Sequence, residues 1–137
     1  MKIKFHRYDS VNQMPFSTGG YWWWDKPENK GTLHVAVVKA SNWRFEAAVW
    51  CHELVEVLYC WIFGITTEEA DRFDQIYEDG YKNGSIPITN DAGCDRRCPY
   101  YWGHMAGICM EYIVIYATFS SWKKYDHEYY NLMSGIE

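Results

Sequence analysis

The stretch that decides the fold of this 137-residue chain is WCHELVEVLYCWI, from Trp50 to Ile62. On a helical wheel with 3.6 residues per turn, its apolar side chains fill one broad arc and most of its polar ones fill the other. This pattern predicts an α-helix in the middle of the chain whose two sides have different roles. The apolar arc holds Leu54, Val55, Val57, Leu58, Trp61 and Ile62, and the other arc holds His52, Glu53, Glu56 and Cys60.

The polar arc has the spacing of a metal-binding helix. His52 and Glu56 lie four residues apart, so their side chains project from one side of the helix, one turn apart. Glu53 occupies the position of the general base in the H-E-x-x-H metalloprotease helix, so the motif here is H-E-x-x-E. An imidazole and a carboxylate suit zinc or a similar divalent ion. The alternative is that the three polar residues are only the solvated side of an amphipathic helix.

Three segments before this helix have the composition of β-strands, separated by turn-forming residues. They predict a small N-terminal antiparallel sheet. Trp22, Trp23 and Trp24 cannot all face one side of their strand, so they either pack in the core and hairpin or form a surface on which a ligand stacks. The predicted strands are Ile3 to Tyr8, Tyr21 to Asp25 and Thr32 to Lys39.

Capping signals mark the helices. Ser41 or Asn42 caps the central helix, and Gly64 ends it. We predict a single α+β domain over residues 1–137, in which the sheet packs on about three helices. These helices run from about Trp43 to Phe63, from a cap at Thr66 or Thr67 to about Tyr81, and from about Tyr100 to Phe119, and a mixed tail follows from Trp122.

The third predicted helix is almost entirely apolar. His104 and Glu111 are its only strongly polar side chains before Thr118, and their seven-residue spacing places them on one side. Because a buried charge without a partner is very costly, other polar groups must meet them. We therefore predict that His104 belongs to a polar site. A core histidine bonded to a backbone carbonyl is the ordinary alternative.

Composition and charge limit the classes of function. The net charge is −5 and the sequence pI is near 5.5, without clustered Lys or Arg, which argues against nonspecific nucleic-acid binding. The first eight residues carry charges where a secretory signal would be apolar, and no run of 18 apolar residues indicates a membrane span. Five cysteines without regular spacing suit reduced thiols, so we expect a cytoplasmic protein. Its many aromatic residues could also form a homodimer.

The long connection from Lys82 to Pro99 carries the candidates for ligand binding outside the helix motif. Arg96 and Arg97 are the best local candidates for holding an anion, and Tyr100 follows them. A small-molecule ligand would then contact these residues together with Trp22 and Trp23. A separate zinc site is an alternative, although its spacing is unusual and no fourth ligand is evident; it would use Cys94, Cys98 and His104.

Several motif blocks occur together along the chain: Arg7-Tyr8, Trp22-Trp23, Gly31-Thr32-Leu33-His34, Asn42-Trp43-Arg44-Phe45-Glu46, His52-Glu53-Leu54-Val55-Glu56, Gly64-Ile65-Thr66, Asp71-x-x-Asp74, Asp95, Pro99-Tyr100, His104 and Glu111. With these blocks the chain from Arg7 to Tyr125 resembles a family of small uncharacterised proteins from phages, bacteria and metagenomes. The family has no activity that can be carried over.

This resemblance implies phage association, and thus the cytoplasm of a host cell. By likeness to zincins it also implies a metal site on His52, Glu56 and His104. In zincin-like folds a strand precedes the metal helix and lines the cleft, a role that would fall to Thr32 to Lys39. The cysteines at 94 and 98 depart from the family, which has none in this stretch, and this weakens the cysteine-zinc alternative.

The leading hypothesis is a zincin-like metal-dependent hydrolase of unknown substrate. His52, Glu56 and His104 would bind the ion, most suitably zinc, and Glu53 would take a proton from water. The carboxylates of Asp74 and Glu111 would hydrogen-bond to the imidazoles and orient them.

Two alternatives stay open. The acidic pairs Glu53-x-x-Glu56 and Asp71-x-x-Asp74 resemble those of all-α nucleotide pyrophosphohydrolases, which use magnesium. In the other, the chain is a non-enzymatic phage protein that acts against host defence. It would sequester a nucleotide signal or bind a host protein, with aromatic rings stacked on bases.

Overall fold

A three-stranded sheet and four α-helices form residues 1–135, the part of the chain that the computed structural model describes. The last two residues of the predicted domain, 136 and 137, lie outside the described residues. The α+β class is therefore confirmed. The strands are β1 (Lys2–Tyr8), β2 (Gly20–Lys26) and β3 (Lys30–Val38), and the helices are α1 (Trp43–Phe63), α2 (Thr67–Asn83), α3 (Tyr101–Ala117) and α4 (Trp122–Ser134).

The sheet is mixed, so the prediction of an antiparallel sheet is wrong for one of its two strand pairs. The strand order is β1-β3-β2, in which β2 pairs antiparallel to β3 and β1 pairs parallel to β3. A tight turn with positive φ at Glu28 and Asn29 joins β2 and β3 into a hairpin. The other edge of β3 is the one that pairs with β1. Residues 9–19 cross one face of the sheet, where Met14 packs with Ala36 and Val38. This crossover allows β1 to run parallel to β3.

The three predicted helices are confirmed, and their ends agree within two residues. Asn42 caps α1 by accepting a hydrogen bond from the backbone N–H of Arg44, and Gly64 ends α1 in the left-handed conformation. The prediction of about three helices missed α4, whose cap is Ser121 and whose Tyr125 and Tyr129 are buried. Among the described residues, none of the helices has both the length and the apolar character needed to cross a membrane.

The α1 helix buries its polar arc and exposes part of its apolar arc, whereas an ordinary amphipathic helix does the reverse. His52, Glu53 and Glu56 are buried, with 5 to 7% of their surface exposed. Leu58 and Ile62, from the apolar arc, are 53% and 62% exposed. The interpretation of the polar arc as a solvated side is therefore wrong. Burying these polar groups is costly unless they are paired, so the fold must supply partners for them.

Two glycines bring α3 close to α1. A Cβ atom at Gly107 would lie 2.8 Å from the ring of His52, and one at Gly103 would lie 2.8 Å from the ring of Tyr59. Because position 107 meets residue 52 and position 103 meets residue 59, the two helices run antiparallel. This close approach places the inner sides of α1 and α3 against each other, so that polar groups on both helices can meet.

One carboxylate connects β1, the end of the sheet and α1. Glu46 accepts two hydrogen bonds from the Arg7 guanidinium, at 2.8 and 2.9 Å, and a third from the backbone N–H of Ala40 at 2.9 Å. The hydrogen bond from Arg7 lowers the pKa of Glu46 below its ordinary value of 4.5, although burial opposes this shift. The ionised form of Glu46 therefore stabilises the folded state.

We expect Glu46→Gln to lower the free energy of unfolding at pH 7 by about 1 to 2 kcal/mol, because solvent at the half-exposed Arg7 screens part of the lost interaction. A depressed pKa in the folded state gives a stabilisation that is present above pH 4.5 and is lost as the pH falls through the folded-state pKa. The difference between variant and wild type should therefore shrink in acid. Urea unfolding at pH 7 and pH 3.5 measures it, and Glu28→Gln, in the exposed pair with Lys30, is the matched control. An equal loss at both pH values would contradict this account.

Candidate metal centre

Three donor atoms from α1 and α3 converge on one point. His52 Nε2 lies 3.2 Å from Glu56 Oε2 and 3.0 Å from His104 Nδ1, and His104 Nδ1 lies 2.9 Å from the same Glu56 oxygen. The spacing of four residues on α1 supplies the first two side chains, and α3 supplies the third. All three residues are buried. The three residues that the sequence predicts as metal ligands are thus brought together.

The outer nitrogen of each imidazole contacts a carboxylate. His52 Nδ1 is hydrogen-bonded to Glu111 Oε1, and His104 Nε2 lies 3.1 Å from Asp91 Oδ2. An ionised carboxylate can only accept a hydrogen bond, so the outer nitrogen of each ring must carry the proton that it donates. In the neutral rings, the inner nitrogens then carry lone pairs that face each other and Glu56. Ligating histidines in metal sites are commonly oriented in this way.

The donor set fits a divalent ion such as zinc. In tetrahedral zinc sites with N and O ligands at about 2.0 to 2.2 Å, neighbouring ligand atoms lie roughly 3.3 Å apart. The observed edges of 2.9 to 3.2 Å approach this value. Three lone pairs at these distances repel one another unless a positive charge lies between them. The second oxygen of Glu56 accepts a hydrogen bond from Trp22 Nε1 at 2.9 Å, which fixes the carboxylate in place.

The protonation of the cluster shows the same preference for positive charge. Burial alone would lower the pKa of His52, but hydrogen bonds to Glu111 and Glu56 raise it to about 10. Burial likewise opposes a charge on His104, and Asp91 raises its pKa well above the ordinary value. The hydrogen bonds from both rings lower the pKa of Glu56 despite its burial. The surrounding carboxylates therefore favour positive charge on the two imidazoles.

Glu53 lies beside this cluster. It is buried, with 7% of its surface exposed, and its carboxylate has no hydrogen-bond partner within residues 1–135. Burial and the nearby Glu56 raise the pKa of Glu53. A Cβ atom at Gly20 would lie 2.3 Å from Glu53 Oε1, so the glycine of β2 is what leaves space for this carboxylate.

The cluster opens into a cavity of about 1070 Å³. Gly20 and Trp22 of β2 line it, whereas no residue of β3 does. The expectation that the third strand lines the cleft is therefore wrong: β3 is the central strand, and β2 is the edge strand beside the site. Much of the lining is acidic. Besides the cluster and Glu53, the acidic lining residues include Asp71, Asp74, Glu78 and Asp91, and Lys123 and Lys124 are its lysines.

The two carboxylates predicted to orient the imidazoles have different positions. Glu111 contacts His52 and also accepts a hydrogen bond from Tyr125 at 2.7 Å. Asp74 contacts neither histidine and instead accepts a hydrogen bond from the hydroxyl of Tyr100. Asp91, which was not predicted, contacts the outer nitrogen of His104. The sequence signal for Asp91 was weak, because it lies in the long connection between α2 and α3, 13 residues from His104.

The predicted ligand-binding residues are scattered. Trp22 reaches the site but contacts Glu56, whereas Trp23 stacks on His34, with ring centroids 4.8 Å apart. Side chains of neighbouring strand residues point to opposite faces, so Trp22 and Trp23 cannot form one stacking surface. Arg97 is paired with Asp95, and neither Arg96 nor Arg97 lines the cavity. Tyr100 does line it.

The cysteine alternative is only partly matched. Cys98 is buried in the hydrophobic core near Cys60, so it does not join a site with His104. Cys94 does lie near His104, together with Asp91, with donor atoms within 4.8 Å of one another. That group is looser than the triangle of His52, Glu56 and His104, and two of its three members are exposed.

No protein-family model, curated protein or solved structure matches the chain. The resemblance to small phage proteins and to zincins therefore stays a prediction. Function must be inferred from the geometry of the site.

We expect Glu111→Gln to weaken zinc binding by about 10- to 100-fold, because the amide no longer holds the proton on His52 Nδ1 as a carboxylate does. Competition with a chromophoric zinc chelator measures the affinity. Glu78→Gln is the matched control, since Glu78 also lines the cavity and its side chain is 12% exposed, against 13% for Glu111. Equal affinities for the two variants would remove the orienting role of Glu111.

Proposed function

We propose that the protein is a metal-dependent hydrolase in which His52, Glu56 and His104 bind one divalent ion, with zinc as the best fit. The observation that carries this proposal is the triangle of three buried donor atoms, 2.9 to 3.2 Å apart, whose imidazoles are oriented by carboxylates on their far sides. Two imidazoles and one carboxylate form the donor set of many catalytic zinc sites.

The number of ligands favours a catalytic site over a structural one. Structural zinc sites have four protein ligands, whereas catalytic sites have three and keep one position open. Within residues 1–135, no fourth His, Cys, Asp or Glu joins the group of His52, Glu56 and His104. When bound, a zinc ion supplies Lewis acidity and lowers the pKa of a coordinated water molecule.

Glu53 is the candidate general base. It follows His52 on the inner side of α1, it lines the same cavity, and its carboxylate is free of hydrogen bonds to the described residues. Gly20 allows the Oε1 atom of Glu53 to lie against the backbone of β2, which positions the carboxylate beside the cluster. A bound divalent ion would favour the ionised form of Glu53, which burial disfavours. A water molecule in the cavity could then give its proton to Glu53, which is the role of the glutamate in the H-E-x-x-H motif.

The charge of the cavity bears on the substrate and on the two alternatives. Carboxylates line much of it, and this disfavours an anionic substrate such as a nucleotide. The pyrophosphohydrolase alternative needs acidic side chains that are free to bind magnesium. Glu56 contacts the histidines, and Asp71 and Asp74 accept hydrogen bonds from tyrosines, which disfavours this alternative. Nucleotide sequestration is disfavoured because the arginines that would hold the phosphate lie outside the cavity. Neutral or cationic peptides and amides are therefore the first substrates to screen.

The test is elemental analysis of the purified protein by plasma mass spectrometry. We expect about one zinc per chain in the wild type, because a single three-ligand centre is present. Glu53→Gln should keep the metal, since Glu53 is not a ligand, and it should lose hydrolysis of any substrate found for the wild type. The His52→Ala, His104→Ala double variant should lose the metal.

Three outcomes would overturn parts of this proposal. Zinc retained by the double variant would show that other residues bind it. Metal-free wild-type protein that takes up no zinc on titration would end the metal-centre proposal. A Glu53→Gln variant with full hydrolytic activity would leave the metal centre in place but remove the base.

A further inference from the structure

The outer sides of α1 and α3 form one apolar surface, which we call the outer face. Its large side chains are Leu58, Trp61 and Ile62 on α1 and Trp102, Ile113 and Tyr116 on α3, and each of them is 53 to 67% exposed. Because Gly103 and Gly107 bring the two helices into close contact, the exposed sides of both helices are continuous. The face lies opposite the metal cluster, which occupies the inner sides of the same helices.

The middle of the outer face carries no charge. Between Ala47 and Ile62, the charged residues and histidines of α1 are His52, Glu53 and Glu56, and all three are buried. Arg44, which stacks on Trp43, is the one basic residue of α1 and lies near its N-terminal end. From Trp102 to Ala117, the only charged residue of α3 is Glu111, whose side chain is 13% exposed and contacts His52. A solvent-exposed helix pair normally carries charged residues on its outer side. An uncharged outer side indicates a surface that another apolar surface covers.

The area of the outer face is that of a protein interface. A large apolar or aromatic side chain presents roughly 150 to 250 Å² when fully exposed, so the six residues together expose on the order of 700 Å². The largest apolar patch on a typical monomer is about 300 to 600 Å². A stable interface buries about 800 Å² on each partner. The six side chains therefore supply most of the area that one partner buries in a stable complex, and their exposed area is large for a free monomer.

The spacing along α3 points to a second copy of this chain as the partner. The outward residues are Trp102, Ala106, Cys109, Ile113 and Tyr116, at alternating steps of four and three residues, which is the spacing of a coiled-coil seam. The small residues Ala106 and Cys109 lie between large ones, so large side chains of a second copy of the helix can pack over them. A two-fold dimer needs a self-complementary surface of this kind.

A membrane surface is a poorer partner. Helices that lie on membranes carry Lys and Arg beside their apolar side, and anionic lipids attract them. The outer face has no such residues between the positions named above, and the chain has a net charge of −5. We propose that the outer face is the interface of a two-fold homodimer, which covers the backs of the two helices that hold the metal cluster.

Sedimentation velocity of the full chain at micromolar concentration tests this proposal. We expect a species with twice the chain mass of 16.3 kDa. Ile113→Glu should weaken the dimer by roughly 100-fold or more, because a two-fold interface would bury two introduced charges, one from each chain. Ile76→Glu is the matched control: Ile76 is 61% exposed on α2, against 58% for Ile113, but lies outside the outer face. This control variant should remain a dimer.

Circular dichroism first verifies that each variant is folded, and Tyr116→Lys replaces Ile113→Glu if the latter is not. A wild-type monomer at every concentration would overturn the proposal, as would equal dimerisation of the wild type and a folded outer-face variant. A monomer that cosediments with vesicles of phosphatidylcholine and phosphatidylserine would overturn it in favour of a lipid partner. None of these results depends on metal or hydrolysis, so the dimer and the proposed function can fail separately.

Discussion

The structure depends on the pairing of buried charges between α1 and α3. His52, Glu56 and His104 lie within 3.2 Å of one another in the interior, where an unpaired charge would cost several kcal/mol. Glu111 and Asp91 contact the far sides of the two rings, and Trp22 donates to the second oxygen of Glu56. Each of these partners comes from a different part of the chain, so the cluster forms only when the fold is complete.

The close contact between α1 and α3 follows from this constraint. Gly103 and Gly107 allow the rings of Tyr59 and His52 to lie against the backbone of α3, and a side chain at either position would separate the two helices. Separation would move His104 away from His52 and Glu56. The glycines therefore serve the polar site as well as the packing, and they explain how an almost entirely apolar helix delivers one histidine to a buried cluster.

The polar side chains of the two helices lie on their inner sides, among buried apolar residues such as Val57 and Ile115, and large apolar side chains are exposed on their outer sides. An ordinary amphipathic helix exposes its polar side instead. The inner sides hold the candidate metal ligands and Glu53, and the sheet contributes Gly20 and Trp22 from its edge strand. The outer sides expose Trp61, Trp102 and Tyr116. The proposed metal chemistry and the proposed dimer contact thus use opposite sides of the same two helices. A dimer would hold α1 and α3 together from behind the cluster.

The sequence by itself determined the local elements and the three residues of the buried His-Glu-His cluster. Periodicity and caps predicted α1, α2 and α3 within two residues at their ends, because these signals are local. The four-residue step from His52 to Glu56 and the lone His104 of an apolar helix were also visible. Even α4 had local signals, since Ser121 caps it and Tyr125 and Tyr129 lie four residues apart.

Only the tertiary structure decided which side of each element is buried and which distant residues meet. The parallel pairing of β1 with β3 depends on a crossover of residues 9–19, and the contact of Asp91 with His104 depends on the path of a long loop. The wheel of α1 shows an apolar and a polar side but not which one faces inward. Partners elsewhere in the chain settle that choice, because they offset the cost of burying the polar side.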